Sequence, residues 1–316
     1  MARTVRAVQL SDHSKLPAVD SVDIGEPGEG EVLVDMTYAG VNPVDAYAAQ
    51  GKVAPDAPLP RVLGGEGAGT VRGRPVLVAG GGLGSRRNGV WAEAAVVPEM
   101  AVIPLPVDID PQQVAALGVA GLTAFHVVGQ VGQVGPEDRV LVLGASGGVG
   151  GPIISFAAST GATVVGQTGS AHKADAIRQS GASDVIVSDA DGLVDAARAL
   201  RPTVIIDPLG GGFTAAALEA VTPRGRVVVY GTSAGADVSF NLQQVYRSSK
   251  RLLGYGGLGL TDEERREGLE QTLRIVAEGR MSIRIDRVLP LEQVGDAFDL
   301  ITSRGLSGKV LLDCTR

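Results

Sequence analysis

The residues of this chain best placed to do chemistry are a run of glycines. An apolar segment, Val140-Leu141-Val142-Leu143, leads into Gly144-Ala145-Ser146-Gly147-Gly148-Val149-Gly150 and then into Gly151-Pro152-Ile153-Ile154-Ser155-Phe156-Ala157-Ala158. A strand that turns through glycines into a helix aims backbone N–H groups and the positive helix end at one spot, which suits a pyrophosphate. The register is A-x-G-x-x-G: Ala145 takes the first glycine position, and Gly147 and Gly150 keep the other two. Pro152 is tolerated because it falls in the first helical turn. A bare glycine pattern is weak evidence, but here a strand precedes it, a helix follows, and a second strand comes at 162–168. Ala145, Ser146, Gly147, Gly148, Val149 and Gly150 are therefore expected to hold a dinucleotide.

About 20 residues on, where a carboxylate would meet the ribose 2′-hydroxyl of NAD, the chain has Thr168-Gly169-Ser170-Ala171-His172-Lys173. No acid stands there. A hydroxyl, a small loop and a lysine suit a 2′-phosphate, so NADPH is favoured over NADH. The competing reading makes Ser170 a helix cap and Lys173 a solvated charge.

The elements that must carry these residues fall into three segments. Up to about residue 118, short apolar runs at 5–10, 31–38, 67–72, 75–79 and 91–97 alternate with Gly, Pro and Asp, predicting a small β-barrel-type domain. From 119 to 262, strands at 139–143, 162–168, 184–188, 203–207, 225–231 and 251–255 alternate with helical stretches, predicting a doubly wound parallel sheet. The last segment has an amphipathic helix at 262–278, a strand at 287–290, a helix near 292–303 and a strand at 309–313. Its strands are expected to complete the first domain, giving one domain at 1–118 and 263–316 interrupted by another at 119–262.

The 316 residues are enough for about two domains at ~150 residues each. With 28 Lys+Arg against 35 Asp+Glu, the net charge is −7 and no basic block is present, which argues against nucleic-acid or anionic-membrane partners. No apolar stretch approaches the ~20 residues of a membrane span, and the first residues lack a secretory pattern. The single cysteine, Cys314, cannot form an internal disulfide, so a cytoplasmic location is expected.

Taken together, Gly40-Val41-Asn42-Pro43-Val44-Asp45, Leu63-Gly64-Gly65-Glu66-Gly67-Ala68-Gly69, Gly121-Leu122-Thr123-Ala124, the 145–150 turn, Gly181-Ala182 and Arg304-Gly305-Leu306-Ser307-Gly308-Lys309 resemble the medium-chain dehydrogenase/reductase superfamily. Within it, the resemblance is to the zinc-free quinone oxidoreductase branch related to zeta-crystallin. It implies an α/β fold in which a GroES-like catalytic domain is interrupted by a Rossmann domain. Zinc-dependent relatives place Cys, His and Cys where this chain has Asn42, Gly65 and Val119, so no metal is expected.

Without a Lewis acid, the chemistry the resemblance implies is hydride delivery to an acceptor that is already electrophilic, a quinone or an α,β-unsaturated carbonyl. Asn42 and Asp45 would line the cleft near the nicotinamide. Tyr47 would face a substrate entering between the domains and donate a proton, although a packing role stays open for it, as a helix-cap role does for Asp45. Thr123, Asp207, Gly231 and Thr232 would touch the cofactor, with Arg304 at the adenosine phosphate and Lys309 on the nicotinamide side. Tyr255 and Gly256 follow the last Rossmann strand, where close approach to nicotinamide or to a dimer mate is equally open.

Three departures from the pattern stand out. Ser188 replaces a tyrosine often found near the 2′-phosphate, Val53 replaces an aromatic residue of the cleft, and the loop at 72–74 is short. Enoyl or 2-alkenal reduction, including a polyketide tailoring step, is the alternative activity, and a catalytically vestigial NADPH-binding sensor or structural protein a third. The family resemblance also implies a homodimer.

Overall fold

The structure is a computed structural model that describes residues 3–303 and 305–316. Eight strands come first: β1 (Thr4–Leu10), β2 (Ala18–Asp23), β3 (Glu31–Val41), β4 (Arg61–Val62), β5 (Glu66–Val71), β6 (Arg74–Ala79), β7 (Ala94–Pro98) and β8 (Val102–Pro104). Six follow in the middle of the chain: β9 (Arg139–Val142), β10 (Thr163–Thr168), β11 (Asp184–Val187), β12 (Val204–Asp207), β13 (Arg226–Val229) and β14 (Arg251–Gly254). Two more, β15 (Ile285–Pro290) and β16 (Lys309–Asp313), close it. Contacts divide the chain into two compact units. One holds the residues up to Leu122 with Leu260–Ala277 and Ile285–Arg316; the other holds Thr123–Gly259 and Glu278–Arg284.

In the first unit β15, β16, β3, β5, β6 and β8 run in that order in one sheet, β7 pairs with β3, and β2, β1 and β4 form a small second sheet. Alternation shapes β3: Val34 and Met36 are buried while Asp35 between them is exposed. The β5–β6 hairpin turns through Arg72 and Gly73, both at positive φ (50° and 77°), the two-residue primed turn that matches strand twist. The abbreviated loop seen in the sequence is thus a tight hairpin. β16 enters beside β3, pairing Val310 with Val41, and β3 pairs on its other side with β5 through Ala39 and Gly67. This register brings the start of β16, the end of β3 and the start of β5 to one end of the sheet. Trp91, Leu63, Phe298 and Leu312 fill the core behind it, and the buried Cys314 packs there as well.

In the second unit six parallel strands run β11-β10-β9-β12-β13-β14. Leu141, Ile205 and Val227 are fully buried, as a parallel sheet covered on both faces requires. The order reverses between β9 and β12, and beyond the carboxyl ends of strands at such a switch point lies the ligand crevice of this architecture. The strands predicted from the sequence agree with the structure to within a few residues, but the sequence pattern does not predict β2, β4, β8 or the helix Pro43–Ala49. Half of β2 is polar, and the other three are too short for a clear period. Among the described residues no helix is long and apolar enough to cross a membrane.

Candidate functional site

The most concentrated chemistry in the first unit is a buried polar cluster that spans three strands and a helix start. Glu66 opens β5 and is 0% exposed; Lys309 opens β16 and is 4% exposed. The Lys309 ammonium donates to Glu66 Oε1 at 2.8 Å, to Asn42 Oδ1 at 2.6 Å and to the Val41 carbonyl at 3.3 Å, which uses all three of its protons. Asn42 Nδ2 donates to the same Glu66 oxygen at 2.6 Å, and the Val119 N–H donates to Glu66 Oε2 at 2.8 Å. Burial of this carboxylate needs room, which glycine supplies: a Cβ on Gly40 would collide with Glu66 Oε1, and one on Gly118 would sit 2.8 Å from Oε2. Asn42, Gly65 and Val119, the positions that the resemblance sets against the metal ligands of zinc-dependent relatives, thus all lead to Glu66, by an amide, a chain neighbour and a backbone N–H.

Asp45 borders this cluster from the third position of the helix Pro43–Ala49. Its Oδ2 accepts from the N–H of Asn42, the helix N-cap, at 2.8 Å. Its Oδ1 lies toward the side-chain-free flank of Gly65, 3.9 Å from where an ideal Cβ would stand. Burial lifts the Asp45 carboxyl to about 7, and the Glu66 charge adds to the rise. The Asn42 hydrogen bonds and the Lys309 charge oppose it. Tyr47, on the same helix, is 47% exposed, with the Lys52 ammonium 5.9 Å from its ring centre.

In the second unit the β9 turn has the form a dinucleotide needs. The amides of Ser146, Gly148 and Val149 make no hydrogen bond among the described residues, Gly147 is exposed, and a ten-residue helix, Gly150–Ser159, begins there. Free N–H donors at a helix start suit a pyrophosphate. The turn is held by Gln167 of β10, whose side-chain oxygen accepts from the Gly144 N–H at 3.0 Å while its amide donates to the Ser188 carbonyl at 2.6 Å. A Cβ on Gly150 would run into the Ala145 carbonyl. Gly150→Val is therefore expected to open the turn and weaken binding of a nicotinamide dinucleotide at least tenfold, measured by fluorescence titration, while the far-ultraviolet spectrum stays native.

The other residues expected at the cofactor are placed as follows. Thr168 Oγ1 accepts from the Ser170 N–H at 3.3 Å, and Lys173 is buried at the end of a short helical turn, not solvated. Ser170 makes no side-chain cap bond. Ser188 Oγ is buried without a partner. Asp207 is committed to its own loop, accepting from the Leu209 and Gly210 N–H groups and from Thr214 Oγ1. Thr232 is exposed beside the half-buried Gly231, and Thr123 is buried. Tyr255 stacks on His126 with ring centres 5.0 Å apart, and Gly256 has open space around it. Lys309, expected on the nicotinamide side, spends its ammonium inside the first unit. Arg304 lies outside the described residues.

The sequence alone assigns no role to Glu66 or Gln167. The available signal was a single charge within Gly64-Gly65-Glu66-Gly67 and a single amide in a buried strand.

Comparison with known proteins bears directly on these two units. Residues 28–107 match the family described as the alcohol dehydrogenase GroES-like domain, and residues 148–275 match the family described as zinc-binding dehydrogenase. The chain is 30% identical to the putative quinone oxidoreductase YhfP of Bacillus subtilis, over 97% of this chain and 96% of that one. It is also 30% identical to the mouse synaptic vesicle membrane protein VAT-1 homolog, over 90% of this chain and 77% of that one. Among solved structures, an NAD-dependent alcohol dehydrogenase superposes with a TM-score of 0.88 at 27% identity, covering 98% of this chain and 99% of that one. The chain is an oxidoreductase that belongs to the medium-chain dehydrogenase/reductase superfamily, in its quinone oxidoreductase-like branch.

Proposed function

We propose that this chain is a zinc-independent, NADPH-dependent reductase that passes hydride to a quinone-type acceptor. The observation that carries the reading is the Glu66 cluster. The positions compared with metal ligands bear an amide, a glycine and a backbone N–H, and a lysine ammonium supplies the positive charge beside them. Such a donor set is tied up internally and offers no soft ligand to zinc. The acceptor must then bring its own electrophilic carbon.

NADPH is supported by the end of β10, which presents Thr168 and Ser170 and no carboxylate, with Lys173 next in the chain and Ser188 Oγ unpaired at the end of β11. When bound, the cofactor supplies the hydride. The backbone turn at 145–150 would hold its pyrophosphate, and Asn42, Asp45 and Tyr47 would serve the acceptor. A second reading, reduction of an enoyl or 2-alkenal double bond, is favoured by Val53, a half-buried side chain smaller than the aromatic ring expected there. Pairing with a second copy is supported by β14, an edge strand on which Leu252 is exposed, and by the preceding helix, which exposes Leu242 and Tyr246. Light scattering reads that directly.

The test is oxidation of NADPH, with NADH as control, against benzoquinone, phenanthrenequinone, trans-hexenal and an enoyl thioester. Turnover with quinones is the expected result. Turnover only with the alkenal or thioester moves the assignment to double-bond reduction. NADPH binding without turnover on any of them replaces both with either a more specialised acceptor or no catalytic role.

A further inference from the structure

We propose that Asp45 is the proton donor of the reaction, its Oδ1 presented over Gly65 by a frame that Lys309, Glu66 and Asn42 hold rigid. The inference deepens the reductase reading and rests on it. Hydride addition to a conjugated acceptor leaves a negative oxygen or carbon that must take up a proton, so the site needs an acid that is protonated when hydride arrives.

Asp45 meets that need by geometry. Its Oδ2 is fixed as an acceptor by the Asn42 N–H at 2.8 Å, so the acid proton resides on Oδ1. Oδ1 is the oxygen on the side of Gly65, which is half-buried and carries no side chain to close the niche. Across the niche the Leu83 carbonyl lies 3.6 Å from where a Gly65 Cβ would stand. In the step itself the Oδ1–H bond breaks and a C–H bond forms at the α-carbon, or an O–H bond on a quinone oxygen. The carboxylate then regains its proton from water. A carboxyl titrating about 7 is protonated often enough to give a proton at neutral pH and basic enough to recover it.

The charged groups facing Asp45 are Glu66 from β5, which favours its neutral form, and Lys309 from β16, which favours its charged form. They act through Asp45 and are positioning residues. Their pairing leaves Lys309 without a free proton to offer a substrate.

The experiment follows turnover from pH 5 to 9 for the wild type, Asp45→Asn and Asp45→Glu, together with NADPH affinity and a carbon-13 titration of the Asp45 carboxyl. Turnover of the wild type should fall as pH rises through the carboxyl's own midpoint. Asp45→Asn should lose at least ~100-fold in kcat, keep its NADPH affinity and lose the pH limb; Asp45→Glu should recover part of the rate with the limb displaced. The carboxyl resonance should titrate near neutrality and vanish in Asp45→Asn. If Asp45→Asn stays within threefold of the wild type and keeps the same limb, the assignment is wrong while the reductase reading stands. If the wild type turns over no acceptor, the reductase reading falls and the assignment falls with it.

Discussion

Replacing Lys309 with methionine should cost about 3–5 kcal/mol of stability, the expected effect of removing one partner from a buried ion pair. The side chain has similar length, so packing changes little, but the Glu66 carboxylate would stay fully buried with only the Asn42 amide and the Val119 N–H to compensate it. Urea unfolding followed by fluorescence isolates the effect, because Trp91 is the only tryptophan and lies in the core of the same unit. The double variant Lys309→Met with Glu66→Gln should recover part of the loss, since it buries no unpaired charge. A coupling energy of at least ~1 kcal/mol between the two sites is expected. A loss below ~1 kcal/mol for Lys309→Met alone would show that the pair is solvated and that the cluster is not a rigid frame.

Residues near each other in sequence told most of what the chain revealed before its structure was known. The 144–150 turn was legible because its strand, glycines and helix are contiguous, and an N–H-lined turn is a local product of that order. β16 was legible in full, since Lys309-Val310-Leu311-Leu312-Asp313 is an apolar run with polar ends. The ion pair of Lys309 was not, because its partner Glu66 is 243 residues away and the two meet only through the pairing of β16 with β3 and of β3 with β5. Resemblance implies Lys309 on the nicotinamide side of the cofactor; the strand register pairs its ammonium with a carboxylate. Gln167 was missed for a related reason. An amide inside a buried strand must find partners, but which ones depends on how β9, β10 and β11 line up. Local pattern therefore described the elements, while the polar groups that join them needed the tertiary arrangement.

Asp45→Asn should stabilise the first unit at pH 8 by up to about 4 kcal/mol and leave it nearly unchanged at pH 4, at about 1.4 kcal/mol for each pH unit between the native and unfolded midpoints. The carboxyl's midpoint is raised by burial from 3.8 in the unfolded chain to about 7 in the native state. Between those values the native state holds a proton that the unfolded state has lost, so stability falls as pH rises through this window. The wild type carries the full stabilising contribution of that proton below the lower midpoint and has lost it above the upper one. Asparagine has no such proton to lose. It can still accept from the Asn42 N–H through its carbonyl oxygen, so at low pH the exchange should cost no more than ~1 kcal/mol. Other carboxylates, among them Asp138 and Glu93, are held below their ordinary range and push stability the opposite way with pH. Because they are common to both proteins, they cancel in the difference between variant and wild type. Urea unfolding of the two proteins at half-unit pH steps gives that difference, and a gap that does not widen from pH 4 to pH 8 would show that Asp45 is not a buried acid. The variant expected to be the more stable at pH 8 is also the one expected to lose turnover. That pairing is what a site produces when it keeps an uncompensated carboxyl for its chemistry rather than for its fold.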